Sequence, residues 1–204
     1  MAGRKKLSDD AIAERRAEIV EAAVLVFAER GYAGAQISNV AQSLGIGHGT
    51  IYRHFVDKKD LYAEVVRYAI ARIGAVVTVS PSAETIEDYL AQVRHQGQQL
   101  FEMTIAEPAL AKLILTEAPA SDPEVAELVE QAFQALDGIT ELYLEHGKKR
   151  GYFRTDFNTR IAARALNVMT LEGMRQVLRS SEPLKTKREW LDQIPELFIL
   201  GVAR

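Results

Sequence analysis

Residues 37–55 read ISNVAQSLGIGHGTIYRHF, and the position of one glycine leaves few ways to fold them. Val40 and Ala41 take the inner face of a short first helix. Gly45 follows Ala41 by four residues, where a chain leaving that helix needs positive φ, a conformation glycine adopts with no Cβ penalty. Ile46 then returns to the core, and Ile51 and Phe55, four apart, form the buried stripe of a second helix. Ala41 is small enough to let the two helices cross closely, as a helix-turn-helix requires. The outward positions of the second helix are His48, Thr50, Tyr52, Arg53 and His54. These are donors and aromatic surfaces with no carboxylate among them, a face suited to phosphates and base edges.

The flanks extend this unit into a head. Residues 11–30 have a helical pattern, with Ile12, Ile19, Val20, Ala23, Val24 and Phe27 on one side, ending at Gly31 and Tyr32. A connector, 33–36, leads into the helix pair. After Phe55, Asp57 offers an N-cap for a helix opening with Lys58, Lys59 and Asp60. Residues 1–10 form a basic arm in which Arg4, Lys5 and Lys6 suit a phosphate or minor-groove contact, or simply a solvated tail.

The run FAERGYAGAQISNVAQSLGIGHGTIYRHFVDKKDLY, residues 27–62, resembles the N-terminal domain of the TetR/AcrR family of bacterial transcriptional regulators. The matching residues are Phe27, Gly31, Tyr32, Ala41, Gly45, Gly49, Thr50, Tyr52, Phe55, Lys58 and Leu61; the likeness is dense over about residues 11–65 and architectural beyond them. It implies an all-α homodimer whose heads bind a palindromic operator in double-stranded DNA, released by a small apolar or amphipathic ligand in the C-terminal domain. It places the DNA contacts at Gln36, Ser38, Gly47, His48, Gly49, Thr50, Tyr52, Arg53, His54 and Lys58. Gln36 stands where the family commonly has a capping threonine, and Gly47 and His48 where serine and lysine often open the recognition helix. These departures bear on the operator sequence and the salt dependence, not on the fold.

Composition fits that picture. The 204 residues are 48% hydrophobic and 26% charged, enough for a substantial core. The chain has no cysteine, which excludes disulfides and thiolate metal sites and fits a reducing cytoplasm. The polar first twenty residues hold no secretory signal, and no apolar run of membrane-spanning length appears. The net charge of −3 is unevenly spread. Residues 1–60 hold nine Lys/Arg against eight Asp/Glu, and residues 61–204 hold sixteen against twenty. A head at only +1 implies few phosphate contacts per subunit and a need for two heads.

The division expected is a DNA-binding unit over residues 1–56 and a helical ligand-binding and dimerisation unit over 57–204. Helices are expected at about 61–77, 84–106, 109–117, 123–150, 158–180 and 187–202, the last kinked at Pro195 or restarted at Ile194. Asp122 and Pro123 form a cap and N1 proline, and Lys148, Lys149, Arg150 and Gly151 a favourable C-terminus. No segment alternates like a strand.

Phe101, Met103, Leu110, Leu113, Phe133, Tyr143, Met169 and Met174 are candidates for lining a ligand cavity, with ordinary core as the alternative for each. Gln99, Glu102, Gln131 and Asn167 are candidates for orienting the ligand. A small-residue edge of Ala163, Leu166, Thr170 and Gly173, with a stripe of Trp190, Leu191, Ile194, Leu197 and Phe198, is the candidate dimer interface. No enzyme is expected and no cofactor or metal. His48, His54, His95 and His146 lack metal-site spacing, the glycines of the turn do not form a phosphate loop, and Glu141 with Glu145 is commonplace on a solvated face. Two other functions stay open: a ligand-independent architectural DNA binder, and a helical ligand-binding protein whose head docks another protein.

Overall fold

The computed structural model describes residues 9–77 and 80–203; Arg4, Lys5 and Lys6 lie outside them. The described residues are helical throughout, apart from connecting segments and one isolated antiparallel bridge between Phe153 and Ala203. Helix α1 spans Asp9–Gly34 and α2 Ile37–Ser43. The short α3 covers His48–Ile51, and α4 Lys58–Gly74. The body comprises α5 (Ile86–Ala106), α6 (Pro108–Lys112), α7 (Pro123–Arg150), α8 (Thr159–Arg179) and α9 (Pro183–Val202).

Two apolar cores meet along α4 and the segment after α6. The first joins Ile19, Ala23 and Phe27 of α1, Val40 and Ala41 of α2, Ile51, Phe55, and Leu61, Tyr62 and Val65 of α4. Leu113, Ile114, Val125 and Val129 from the body belong to this core too, so the expected boundary at 56/57 falls inside it. Phe27, Tyr32 and Tyr62 form an aromatic cluster, with ring centroids 4.6 Å apart for Phe27–Tyr62 and 4.7 Å for Tyr32–Tyr62. The second core gathers Tyr89, Phe101, Tyr143, Leu144, Phe153, Leu166, Met174 and Phe198 from α5, α7, α8, α9 and the loop after α7.

Helix ends follow the local chemistry. Asp57 caps α4 by accepting from Asp60 N at 2.8 Å, Asp122 caps α7 by accepting from Glu124 N at 2.9 Å, and Asn158 caps α8 by accepting from Ile161 N at 3.0 Å. Gly151 ends α7 at φ 84°. Other boundaries differ from expectation. Helix α5 starts at Ile86 because Thr85 and Asp88 form a reciprocal capping box. Helix α9 starts at Pro183, a favourable first position, and continues through Pro195 without a restart. The stretch expected as one helix over 109–117 is α6 followed by a π-helical turn, Leu113–Glu117, and a 3-10 turn, Ala118–Ala120. The wide turn carries Leu113, Ile114 and Leu115, all three buried.

Candidate nucleic-acid interface and ligand cavity

Gly45 has φ 62° at the break between α2 and α3, and Ile46 N donates to Ala41 O at 3.0 Å to close the turn. Ile51 and Phe55 are buried and fix the rotation of the second helix. That rotation leaves Gly47, His48, Gly49, Tyr52 and Arg53 exposed, with Thr50 and His54 half-buried at their edge. Tyr52 is 56% exposed, a large aromatic surface. The α-helix is shorter than the 48–54 span expected for reading. After Ile51 the chain goes on in tight turns, with Arg53 N donating to Thr50 O and His54 N to Ile51 O.

Arg53 Nη2 donates to Thr50 Oγ1 at 3.0 Å, and this holds both polar groups on one side of the helix. Arg16 of α1 ties the end of the unit. It donates to His54 O at 2.7 Å, lies 4.3 Å above the Phe55 ring and pairs with Glu64 at 3.2 Å. Burial, then the neighbouring Arg53, Arg16 and Arg15, hold His54 below the ordinary imidazole pKa. At the start of α2, Gln36 N donates to Asn39 Oδ1 at 2.9 Å, so an interior asparagine assists the end where the family commonly has a capping threonine. Gln36 is exposed, and Ser38, half-buried, donates to its Oε1 at 3.2 Å.

Lys58 departs from its expected role. Its ammonium donates to Tyr32 O at 2.8 Å and Ala35 O at 3.2 Å and lies 4.4 Å from the Tyr32 ring centroid. Two of its three N–H bonds are thus committed to the carbonyls where α1 ends. A lysine so engaged fastens the connector below the reading unit.

Behind the head, α4, α5, α7 and α8 enclose a cavity of about 310 Å³. Of the residues expected there, Phe133, Tyr143, Met174 and the polar Asn167 line it. Phe101, Met103, Leu110 and Leu113 instead fill the two cores, and Met169 packs at the edge of the second. Gln99, Glu102 and Gln131 are not in the wall. The polar residues missed by sequence reasoning are Tyr89, Gln92, Gln96, Thr140 and Thr170; their types are common on solvated faces, and only helix rotation brings them inward.

The small-residue edge of α8 is likewise turned inward. Ala163, Leu166 and Gly173 are buried within the subunit, and Thr170 is half-buried. A Cβ on Gly173 would fall 2.7 Å from Phe101 Cζ and 2.9 Å from Trp190 Cε3, so the close approach this glycine permits is intramolecular. Ile194 and Phe198 are buried, and Trp190 and Leu191 pack against the second core. Leu197 alone of the expected α9 stripe is well exposed. The apolar face left outside consists of Ile161 and Val168 on α8 and Leu197 and Leu200 on α9.

Residues 19–65 match the family described as "Bacterial regulatory proteins, tetR family". The HTH-type transcriptional repressor AcnR of Corynebacterium diphtheriae is 36% identical over 85 residues, which are 42% of this chain. The matched stretch spans 45% of that relative, under half of its length. Among solved structures, the fatty acid degradation regulator FadR from Bacillus halodurans superposes with a TM-score of 0.74 at 24% identity, covering 91% of this chain and 98% of that one. A Saccharomonospora viridis protein solved in complex with choline gives 0.72 at 22% identity, covering 94% and 99%. These two likenesses establish the helical architecture. Residues 19–65 thus carry the N-terminal domain of the TetR family of bacterial regulatory proteins, on a helical architecture shared with these structures along the chain's length.

Proposed function

We propose that this protein is a transcriptional regulator, acting as a repressor, that binds a palindromic operator as a homodimer and releases it when a small molecule fills the cavity. The observation that carries this reading is the exposed face of His48, Tyr52 and Arg53, held by the buried Ile51 and Phe55 in a helix-turn-helix. Such a face offers donors to phosphates and base edges in a major groove. Gln36, Ser38, Gly47, Gly49, Thr50 and His54 complete the contact surface; Lys58 supports it from behind.

The partner for the outer face of α8 and α9 is a second copy of this chain. Ile161, Val168, Leu197 and Leu200 are 69%, 48%, 60% and 85% exposed, and a self-complementary pairing of these helices buries them. The ligand acts through the elements that wall the cavity and also join the head. Ile114 lines the cavity and belongs to the first core, and Ile70 and Ile73 of α4 do both as well. A ligand that favours a body conformation with altered head spacing lowers operator affinity by a coupling of about 1–3 kcal/mol. A cytoplasmic location goes with this function, and among the described residues no helix is long and apolar enough to cross a membrane. No catalytic role is proposed.

The test is selection of bound duplexes from a random DNA pool at physiological salt. An enriched inverted repeat is the expected result. Binding without enrichment would favour an architectural role, and no binding by a folded dimer at low salt would overturn the assignment.

A further inference from the structure

The cavity wall carries its own statement about the ligand. Among the described residues that line it, none is Asp, Glu, Lys, Arg or His. A full charge placed inside would lose its hydration with no counter-charge in contact. Asp137, the carboxylate bonded to the wall's Asn167, is already held by Arg164 at 2.9 Å and by Asn167 Nδ2 at 2.7 Å.

Hydrogen-bonding capacity is unevenly distributed around this neutral wall. On the side of α7 and α8, Thr140 donates to Asn167 Oδ1 at 3.0 Å, Asn167 donates to Asp137, and Thr170 donates to Leu166 O at 3.0 Å. On α5, one helical turn apart, Tyr89 OH and Gln92 Oε1 are buried and have no partner among the described residues. Tyr89 is 1% exposed, and its ring is fixed edge-on against Phe153 at 4.9 Å. Gln92 Nε2 donates to Ser82 Oγ at 2.8 Å; exchanging the amide's N and O leaves a polar atom in the same place. A ligand group that both donates and accepts satisfies either orientation, and Tyr89 OH besides.

We propose that the cavity takes an uncharged amphiphile, an apolar body bearing one hydroxyl or amide that bonds to Tyr89 and Gln92. This rests on the ligand-binding reading above and specifies its chemistry. The volume of about 310 Å³ equals roughly ten molecules' share of liquid water, room for an alkyl chain of about ten carbons. The apolar body lies along Val93, Leu100, Phe133, Leu136 and Ile139, with Met174 closing the wall.

The experiment uses the full chain and the neutral fluorophore N-phenyl-1-naphthylamine, displaced by 1-decanol, decanoate, decyltrimethylammonium and 1-methoxydecane at neutral pH. Decanol is expected to bind about tenfold or more tighter than either charged probe. It is also expected to bind about threefold or more tighter than the ether, which accepts but does not donate. The variant Y89F/Q92L should still take up the fluorophore and should bind decanol and the ether within about twofold of each other, because the groups that distinguish them are gone. Decanoate or the ammonium binding as tightly as decanol would overturn the ligand class while leaving a ligand-binding cavity. A variant that keeps the preference for decanol would overturn the assignment to Tyr89 and Gln92. Failure of every probe and of the fluorophore to bind the unaltered protein would overturn ligand binding itself.

Discussion

Replacing Lys58 by methionine separates support of the head from contact with DNA. Methionine keeps most of the apolar stem and removes the ammonium, leaving Tyr32 O and Ala35 O without their donor and Tyr32 without its cation. A hydrogen bond to a charged group contributes about 1.5–3 kcal/mol when well buried. Lys58 is half-buried, so about 1 kcal/mol for each of the two bonds is the better figure. The cation over the ring adds about 0.5 kcal/mol at such exposure. The sum is a loss of about 2–2.5 kcal/mol, which in a chain of this size lowers Tm by roughly 4–10 °C. Thermal and urea unfolding at fixed protomer concentration would measure it, since dimerisation makes Tm concentration-dependent. The selected operator would then be titrated over a range of salt. A lysine on a phosphate lowers the slope of log K against log[salt] by about 0.9 when removed, whereas a supporting lysine leaves the slope unchanged. Stability within about 0.5 kcal/mol of the parent, together with a slope reduced by about 0.9, would refute the structural role.

Tyr52→Ala should leave unfolding within about 0.5 kcal/mol of the parent, because the ring is largely exposed, and weaken operator binding by about 1–3 kcal/mol in a mobility-shift titration. Undiminished binding would remove Tyr52 from the contact face. Gly173→Ala should destabilise the subunit by about 1–2 kcal/mol in urea, since overpacking against Phe101 and Trp190 outweighs alanine's gain of about 1 kcal/mol in helix propensity; a stabilised variant would contradict the packing. Leu200→Asp should hardly change a monomer's stability but raise the dimer dissociation constant about a hundredfold by sedimentation, as an unpaired charge enters the apolar contact. An unchanged constant would move the interface elsewhere.

The head was legible because its signals are local. Gly45, Ile51 and Phe55 fix a turn and a buried stripe within a few residues of each other, and the structure follows them closely. The capping residues Asp57, Asp122 and Asn158 are legible for the same reason. Lys58 was not, since its partners are carbonyls more than twenty residues earlier, and backbone acceptors leave no mark in a sequence. The body helices were legible as helices but not in their rotation. Phe101 and Phe133 are equally apolar, yet one fills a core and the other faces a cavity, a choice set by how α5, α7 and α8 cross. Gly173 resembled an opening for a second subunit and serves Trp190 of its own chain instead. The π-helical turn had no signal in the sequence; it lies where the chain passes from the first core, at Leu113 and Ile114, to the second, at Leu115.

The short reading helix has a consequence for how the head opens. Helix α3 is four residues long, with Gly49 inside it and Gly47 before it, and a Cβ at either glycine would meet nothing within 4 Å. A helix this short does not hold itself, and a glycine weakens it by about 1 kcal/mol relative to alanine. Its anchorage is Ile51 and the adjoining Phe55. In the language of hydrogen exchange, the amides of Tyr52, Arg53 and His54 belong to the part of the head that opens by local fluctuation, while those of Ala23, Val24 and Phe27 in α1 exchange only when its core is lost. A DNA groove that closes over this turn therefore slows exchange where it was fastest.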